Sequence, residues 1–196
     1  MIYLTSVKDF KKDTVNDDID KYISEIADKN LSALEKLYKI TNTSVYSFAL
    51  SILKNTYDAQ DVMHDCYISI FSSAENYHSY GKPLAWILKI TKNLCLMKLR
   101  EYKKKSDIPK EDWEFYLDSH DNISYEDKLV IRDCMNKLSD EERQIVVLHA
   151  VSGFKHREIA DILEIPLSTV LSKYSRAVKN FKISYEEADK NEKKSV

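Results

Sequence analysis

Residues 139–182, SDEERQIVVLHAVSGFKHREIADILEIPLSTVLSKYSRAVKNFK, decide the fold of the C-terminal part of the chain. Apolar side chains recur there at spacings of three and four, the period of a helix with one buried face. Ser139-Asp-Glu-Glu142 reads as a capping box, with Ser139 accepting from first-turn N–H groups and Glu142 reaching back. The helix it opens carries Ile145, Val146, Leu148 and His149, and Gly153 reads as its C-terminal cap. A second helix, Lys155–Leu163, carries Ile159, Ala160, Ile162 and Leu163. Glu164-Ile-Pro166 is a break, and Ser168 reads as the cap of a third helix with Val170, Leu171, Tyr174, Ala177, Val178 and Phe181 apolar. Helices joined by so tight a turn cross steeply, with the small Ala160 at the approach and Ile165 in the corner. This is a helix-turn-helix, and it leaves the front of the last helix free to enter a major groove. Ser168, Thr169, Ser172, Lys173 and Arg176 then face DNA, the cations suited to guanine edges or phosphates and the hydroxyls to either. A helical hairpin with alanine at the crossing also occurs in bundles that bind nothing, so the pattern alone leaves both readings open. Glu164 stands where a left-handed backbone favours glycine, at a cost of about 1 kcal/mol.

Upstream the same period dominates. Leu31, Leu34, Leu37, Tyr38, Thr41, Val45, Phe48, Ala49 and Ile52 predict one helix. Residues 54–61, KNTYDAQD, break it, and Asp58 reads as the cap of the next, with Val62, Met63, Cys66, Ile70, Phe71 and Ala74 on its apolar face. Residues 75–83, ENYHSYGKP, read as a loop, and Pro83 suits the first turn of a helix with Leu84, Ile87, Ile90, Leu94 and Met97 on one side. Residues 1–24 are polar, with a weak signal for one short helix. Residues 106–125 lack a period and read as a linker, and a helix resumes at Glu126.

The bulk properties agree with helices. The 196 residues include only 2 Gly and 3 Pro, too few breakers for a sheet protein rich in tight turns. No apolar run approaches the roughly 18–20 residues of a membrane span, and MIYLTSVKDFKKD lacks the basic start and apolar block of a signal peptide. Cys66, Cys95 and Cys134 are widely spaced with no CxxC pair, which fits a reducing cytosol and no zinc site. Cys66 and Cys134 read as core residues, Cys95 as a helix-face residue. The net charge of −2 hides an alternation. Residues 89–105 hold seven basic side chains and one acid, residues 106–127 hold eight acids and one base, and cations recur at Lys173, Arg176, Lys179 and Lys182.

On these motifs the chain resembles the small two-module sigma factors of the extracytoplasmic-function type, in the sigma-70 family of bacterial RNA polymerase. The C-terminal match keeps Leu-Ser-x-x-Glu-Arg, Glu-Ile-Ala and Thr-Val-x-Ser-x-x-x-Arg-Ala; the N-terminal match is DAQDVMHDCYISIF followed by AWILKITKNLCLMKLREYKKK. Together they cover roughly residues 25–182. The resemblance implies an all-α fold of two small helical modules joined by an acidic linker. Its parts are an N-terminal extension (1–24), a region 2-like module that binds core polymerase and the −10 element (25–105), the linker (106–125), a region 4-like module that binds the −35 element (126–185) and a polar tail (186–196). It implies that Asp61, His64 and Asp65 dock on the clamp helices of the large polymerase subunit, although taken on their own they read first as an acidic solvated face. His78, Lys82, Trp86, Lys89, Lys92, Asn93 and Arg100 are implied in −10 binding and melting, with the loop 78–82 capturing a base flipped from the opened strand; core packing is the other reading of Trp86. Lys103, Lys104 and Lys105 add phosphate attraction. The acidic linker is implied to thread the polymerase cleft. Ser168, Thr169, Ser172, Lys173 and Arg176 are implied at the −35 element, with Leu171 standing where the family often has Lys or Arg and Lys173 where it often has Arg. A lysine at 173 exchanges bidentate reading for a point charge.

The expected function is therefore an alternative sigma factor, a cytoplasmic transcription initiation factor that binds core RNA polymerase and promoter DNA, with an anti-sigma factor as a possible further partner. No cofactor, metal, catalytic residue or membrane insertion is expected. The second reading is a free-standing helix-turn-helix regulator that does not bind core polymerase. An enzyme is poorly supported, because no phosphate loop, metal-spaced cluster or nucleophile–base pair is present.

Overall fold

The computed structural model describes the backbone of residues 2–105 and 125–192, and the side chains of residues 14–104, 131–183 and 186. Eight α-helices and one 3-10 turn make up the described residues, with no strand among them: α1 (Ile2–Ala27), α2 (Leu31–Leu53), α3 (Thr56–Ser73), the turn Ala74–Asn76, α4 (Pro83–Lys105), α5 (Tyr125–Lys137), α6 (Asp140–Ala150), α7 (His156–Leu163) and α8 (Leu167–Glu192). The all-α expectation holds. The acidic linker lies outside the described residues, save for Tyr125, which opens α5.

Short polar side chains set the helix starts. The Asn30 side chain accepts from the N–H groups of Ser32 and Ala33, at 3.0 and 3.2 Å, and opens α2. Lys54 ends α2 with a left-handed backbone (φ 56°), and Asn55 caps α3 by accepting from the Asp58 N–H at 3.0 Å. The sequence reading gave that cap to Asp58 and spread the break over eight residues. One left-handed residue turns the chain so sharply that two residues suffice, and Asp58 falls inside the first turn of α3. Asn55→Ala is expected to cost about 1 kcal/mol, read as a lower urea midpoint with an unchanged m-value.

The first module is built on α1–α4. Phe48, Leu37, Ile70, Ile87 and Leu88 are fully buried at its centre. Thr41 belongs to this apolar face because its hydroxyl is satisfied there: it lies 2.7 Å from the Leu37 carbonyl, to which it donates, and 2.8 Å from the Tyr67 hydroxyl. Helix α1 is far longer than the short element expected. Ile19, Ile23 and Ile26, at spacings of four and three, are fully buried against this core. The boundary expected after residue 24 therefore falls inside a helix that packs as part of the module. Cys66, Cys95 and Cys134 are all buried, Cys95 completely, which corrects its reading as a helix-face residue. Burial pushes the Cys66 thiol up to about 11 and the Cys95 thiol still higher.

In the second module the capping box forms as expected. The Glu142 carboxylate accepts from the Ser139 N–H at 3.0 Å while the Ser139 hydroxyl accepts from the Glu142 N–H at 3.4 Å. Arg143 is buried beside it and donates to the Met135 and Leu138 carbonyls and to Asp140, at 3.1, 2.8 and 2.8 Å. That guanidinium closes the corner between α5 and α6. Helix α8 opens at Leu167, where the Thr169 and Val170 N–H groups bond to the Pro166 carbonyl. Ser168 therefore sits within the first turn and is not the cap. The helix runs on to Glu192, through the segment expected as a polar tail.

The two modules share one continuous apolar core. Ile145, Leu148, Ile159, Ile162 and Val170 of the second join the cluster of the first. Helix α6 packs on α2 and α7 on α4, and Lys54 pairs with Asp140 at 3.1 Å across the seam.

Candidate nucleic-acid interface

Helix α4 presents two opposite faces. Ala85, Ile87, Leu88, Thr91 and Cys95 are buried. Trp86, Lys89, Asn93 and Arg100, separated by three, four and seven residues, share the other face. Lys89, Asn93 and Arg100 are exposed there. Trp86 is half-buried, with one side on the core and its ring 4.7 Å from that of Tyr77. The core-packing reading of the tryptophan thus holds for one side of its ring.

The loop before α4 completes this face. Asn76, Tyr77, His78, Tyr80, Lys82 and Trp86 line a pocket of about 180 Å³. Tyr80 is the most exposed large apolar side chain among the described residues, at 87%. Gly81 takes a left-handed backbone (φ 71°) that lets the loop turn into Pro83. Tyr77, Tyr80 and Asn76 were not singled out from the sequence. The clustering of two tyrosines with Trp86 across a single turn was the available signal.

Two of the lysines assigned to this face are engaged elsewhere. Lys92 turns toward the second module and donates to the carbonyls of Ile162 and Leu163, both at 3.2 Å, and to the Glu164 carboxylate at 3.1 Å. It thereby satisfies the orphan carbonyls at the end of α7, where a cation is favoured. Glu164 takes the left-handed backbone expected of its position (φ 61°), and the Lys92 ammonium holds its carboxyl below the usual carboxylate range. Lys82 pairs with Asp161 of α7 at 3.4 Å.

Helix α3 carries a second surface. Tyr57, Asp61, His64, Asp65 and Ile68 recur at spacings of three and four and are all exposed, Tyr57 at 74% and Ile68 at 64%. The two apolar members were missed in the sequence because each is an ordinary helix residue taken alone. Asp61 is joined to α4 through Lys98, whose ammonium lies 2.9 Å from both Asp61 and the buried Asp58. Tyr102 donates to Asp58 at 2.6 Å. Burial works against charge on Lys98, but its two carboxylates outweigh that and raise it to about 12.

Ser168, Thr169, Ser172, Lys173 and Arg176 share one side of α8, and the exposed Lys179 extends it. Ser168, Ser172 and Arg176 are exposed. Lys173 instead leans on α6, 3.0 Å from Glu141, with its side chain 22% exposed. Arg176 lies 3.4 Å from the buried Glu142, an ion pair without aligned hydrogen-bond geometry. The first turn of α6, which holds the capping-box Glu142 and its neighbour Glu141, thus also supplies carboxylates to α8. Behind them, His149 and His156 stack at 4.8 Å against the edge of Tyr174. Burial, with His149 beside it, pushes His156 below its ordinary value. No cluster of metal-ligating side chains occurs among the described residues, and no helix there is long and apolar enough to cross a membrane.

These surfaces coincide with two matches to family models. Residues 37–105 match Sigma-70 region 2 and residues 128–181 match Sigma-70, region 4, spanning well over half of the chain between them. Curated relatives include the ECF RNA polymerase sigma factor SigK of Mycobacterium sp. (strain KMS), 22% identical over 175 residues that cover 86% of this chain and 91% of the relative. SigW of Bacillus subtilis (strain 168), another ECF sigma factor, is 24% identical over 180 residues covering 81% and 91%. Among solved structures, the sigma factor RpoE of Bartonella quintana, in complex with the anti-sigma factor NepR, superposes with a TM-score of 0.66 at 19% identity, covering 78% of this chain and 96% of that one. CnrH, in complex with the cytosolic domain of CnrY, gives 0.59 at 16%, covering 87% and 98%. With both regions matched in order and relatives aligned over nearly their full length, the chain belongs to the sigma-70 family as a sigma factor of the extracytoplasmic-function type.

Proposed function

We propose that this alternative sigma factor directs promoter recognition through three faces: the exposed side of α3 for core polymerase, the α4 face and its preceding loop for the −10 element, and the outer side of α8 for the −35 element. The observation that carries the −10 assignment is the aromatic pocket at residues 76–86, which lies at the start of the exposed α4 face that continues through Lys89, Asn93 and Arg100. Opened DNA offers π-faces and phosphates, and aromatics beside cations hold both. The α3 face is acidic with apolar ends, suited to a basic, partly apolar helical partner. A free-standing regulator has no use for either surface. The chain carries no catalytic chemistry in this reading and works in the cytoplasm. A regulator of the anti-sigma class is a further proposed partner, by analogy with the NepR complex.

The engagement of Lys92 and Lys82 by α7 gives the mechanism a first step. A lysine that caps α7 cannot also hold promoter DNA, so initiation requires the modules to part. Dyes placed on α1 and on α8 should move apart when core polymerase is added; an unchanged transfer efficiency would count against separation.

In vitro transcription with core polymerase tests the site assignments. Arg176→Ala is expected to reduce use of −35-dependent promoters about tenfold, leaving initiation from pre-melted templates intact. Asn93→Ala is expected to slow open-complex formation at unchanged upstream binding. If both variants initiate normally on all templates, the α4 and α8 assignments are wrong.

A further inference from the structure

Tyr77 and His78 line the aromatic pocket, and the loop that carries them is tied down at Tyr77 and Ser79 by a residue nearly sixty positions away. Asp20 of α1 accepts a short hydrogen bond from the Tyr77 hydroxyl and a second, at 2.8 Å, from the Ser79 hydroxyl. Its two carboxylate oxygens thus hold two loop side chains at once. Ser79 relays the restraint, since its hydroxyl oxygen also accepts from the Gly81 N–H at 3.4 Å. Tyr77 in turn sets its ring on Trp86. Asp20 is itself well placed to act as a fixed post. Its neighbours Ile19 and Ile23 are fully buried, so α1 cannot slide without exposing them. Burial and the Asp20 carboxylate both raise the Tyr77 phenol far above its ordinary value, so it remains a donor at any physiological pH. Hydrogen bonds to a charged acceptor are about twice as strong as neutral ones, and two of them on one carboxylate define both distance and angle.

We propose that Asp20 is a positioning residue for promoter melting: from the N-terminal helix it fixes Tyr77 and Ser79, and so holds the pocket at residues 76–86 in the shape that admits and discriminates an extruded base. This rests on the −10 reading of that pocket. Asp20 touches no DNA itself. Its effect appears in which base is accepted and how fast the duplex opens, and spares assembly with polymerase. It also assigns the N-terminal helix a part in promoter selection.

The test uses holoenzyme rebuilt from full-length chain and core polymerase. Promoters carry each of the four bases in turn at the non-template positions of the −10 element, with 2-aminopurine beside the varied base to report extrusion. Asp20→Ala is expected to slow opening about tenfold, the worth of a charge-assisted hydrogen bond. It should also flatten the preference among the four bases, with core affinity unchanged. Tyr77→Phe, which keeps the ring and loses the donor, should give part of the same loss, and the double variant should be no worse than Asp20→Ala alone. Trp86→Ala separates the two ideas. If it abolishes base preference while Asp20→Ala and Tyr77→Phe leave it intact, the Asp20 proposal fails and the pocket stands. If Trp86→Ala itself leaves base preference intact, the −10 reading fails. A loss of Asp20→Ala activity that is uniform over all four bases, or that tracks weaker core binding, assigns Asp20 a stabilising role only and overturns the proposal.

Discussion

Asp65→Lys is expected to weaken the binding of this sigma factor to core RNA polymerase by tenfold or more, because placing like charges against one another at an interface costs several kcal/mol. Asp65 lies on the exposed face of α3, between His64 and Ile68. Asp61 on the same face is partly neutralised by Lys98, so Asp65 is the cleaner probe of charge. Stability should hardly change, since exposed substitutions of this kind stay within about 0.5 kcal/mol. Anisotropy titration of labelled chain with core polymerase at two salt concentrations reads the effect. Weaker binding with a flatter salt dependence supports α3 as the docking face. Ile68→Ala should weaken binding with the salt dependence unchanged, because an apolar anchor carries no counterion term. Wild-type affinity in both variants would move the polymerase contact off α3.

The largest effect on stability is expected from Lys98→Met. Asp58 is 7% exposed, and its carboxylate would keep Tyr102 but lose its cation. Leaving a buried charge unpaired costs roughly 3 kcal/mol, a large share of the stability of a small domain. The double change Asp58→Asn with Lys98→Met should recover much of the loss, because a buried pair replaced as a whole is often nearly neutral. The pH dependence has a definite sign. Lys98 is raised in the folded chain from 10.5 to about 12, so its contribution is complete below 10.5 and is lost as pH rises through 12. Urea unfolding at pH 8 and pH 11.5 should therefore show the wild type approaching the variant at the higher pH. Equal stability of wild type and Lys98→Met at pH 8 would show that the network contributes nothing. The network also joins the exposed face of α3 to α4, the two faces proposed for polymerase and for the −10 element.

Much of this was legible locally. Residues 139–182 showed their helices because each signal sits within a few positions of its effect: the Ser139–Glu142 box, the three-and-four apolar spacing, the Glu164-Ile-Pro166 break. Glu164 could even be assigned a left-handed backbone from its place in the turn, and φ is 61°. Helix starts were less secure where two polar residues compete. Asn55 and Asp58 both suit a cap, and only the backbone at Lys54 decides between them. Helix α1 was read only as a short element for a related reason: its buried stripe is a few isoleucines on a mostly polar helix, so the packing surface of α2–α4 supplies most of its stability.

By itself, then, the sequence determined the helical class, the order of the two modules and the residue types available on each face, because periodicity and capping are properties of neighbours along the chain. Tertiary structure alone decided where the charges went. Lys92 and Lys173, read as DNA contacts, are held by α7 and by Glu141; Asp20, in a segment with no assigned role, grips the loop of the aromatic pocket; and Asp58, taken for a cap, binds Lys98 and Tyr102. Long polar side chains can reach many partners, and a charge half-removed from water takes the one that packing brings within hydrogen-bonding distance, a choice that spacing in the sequence does not encode.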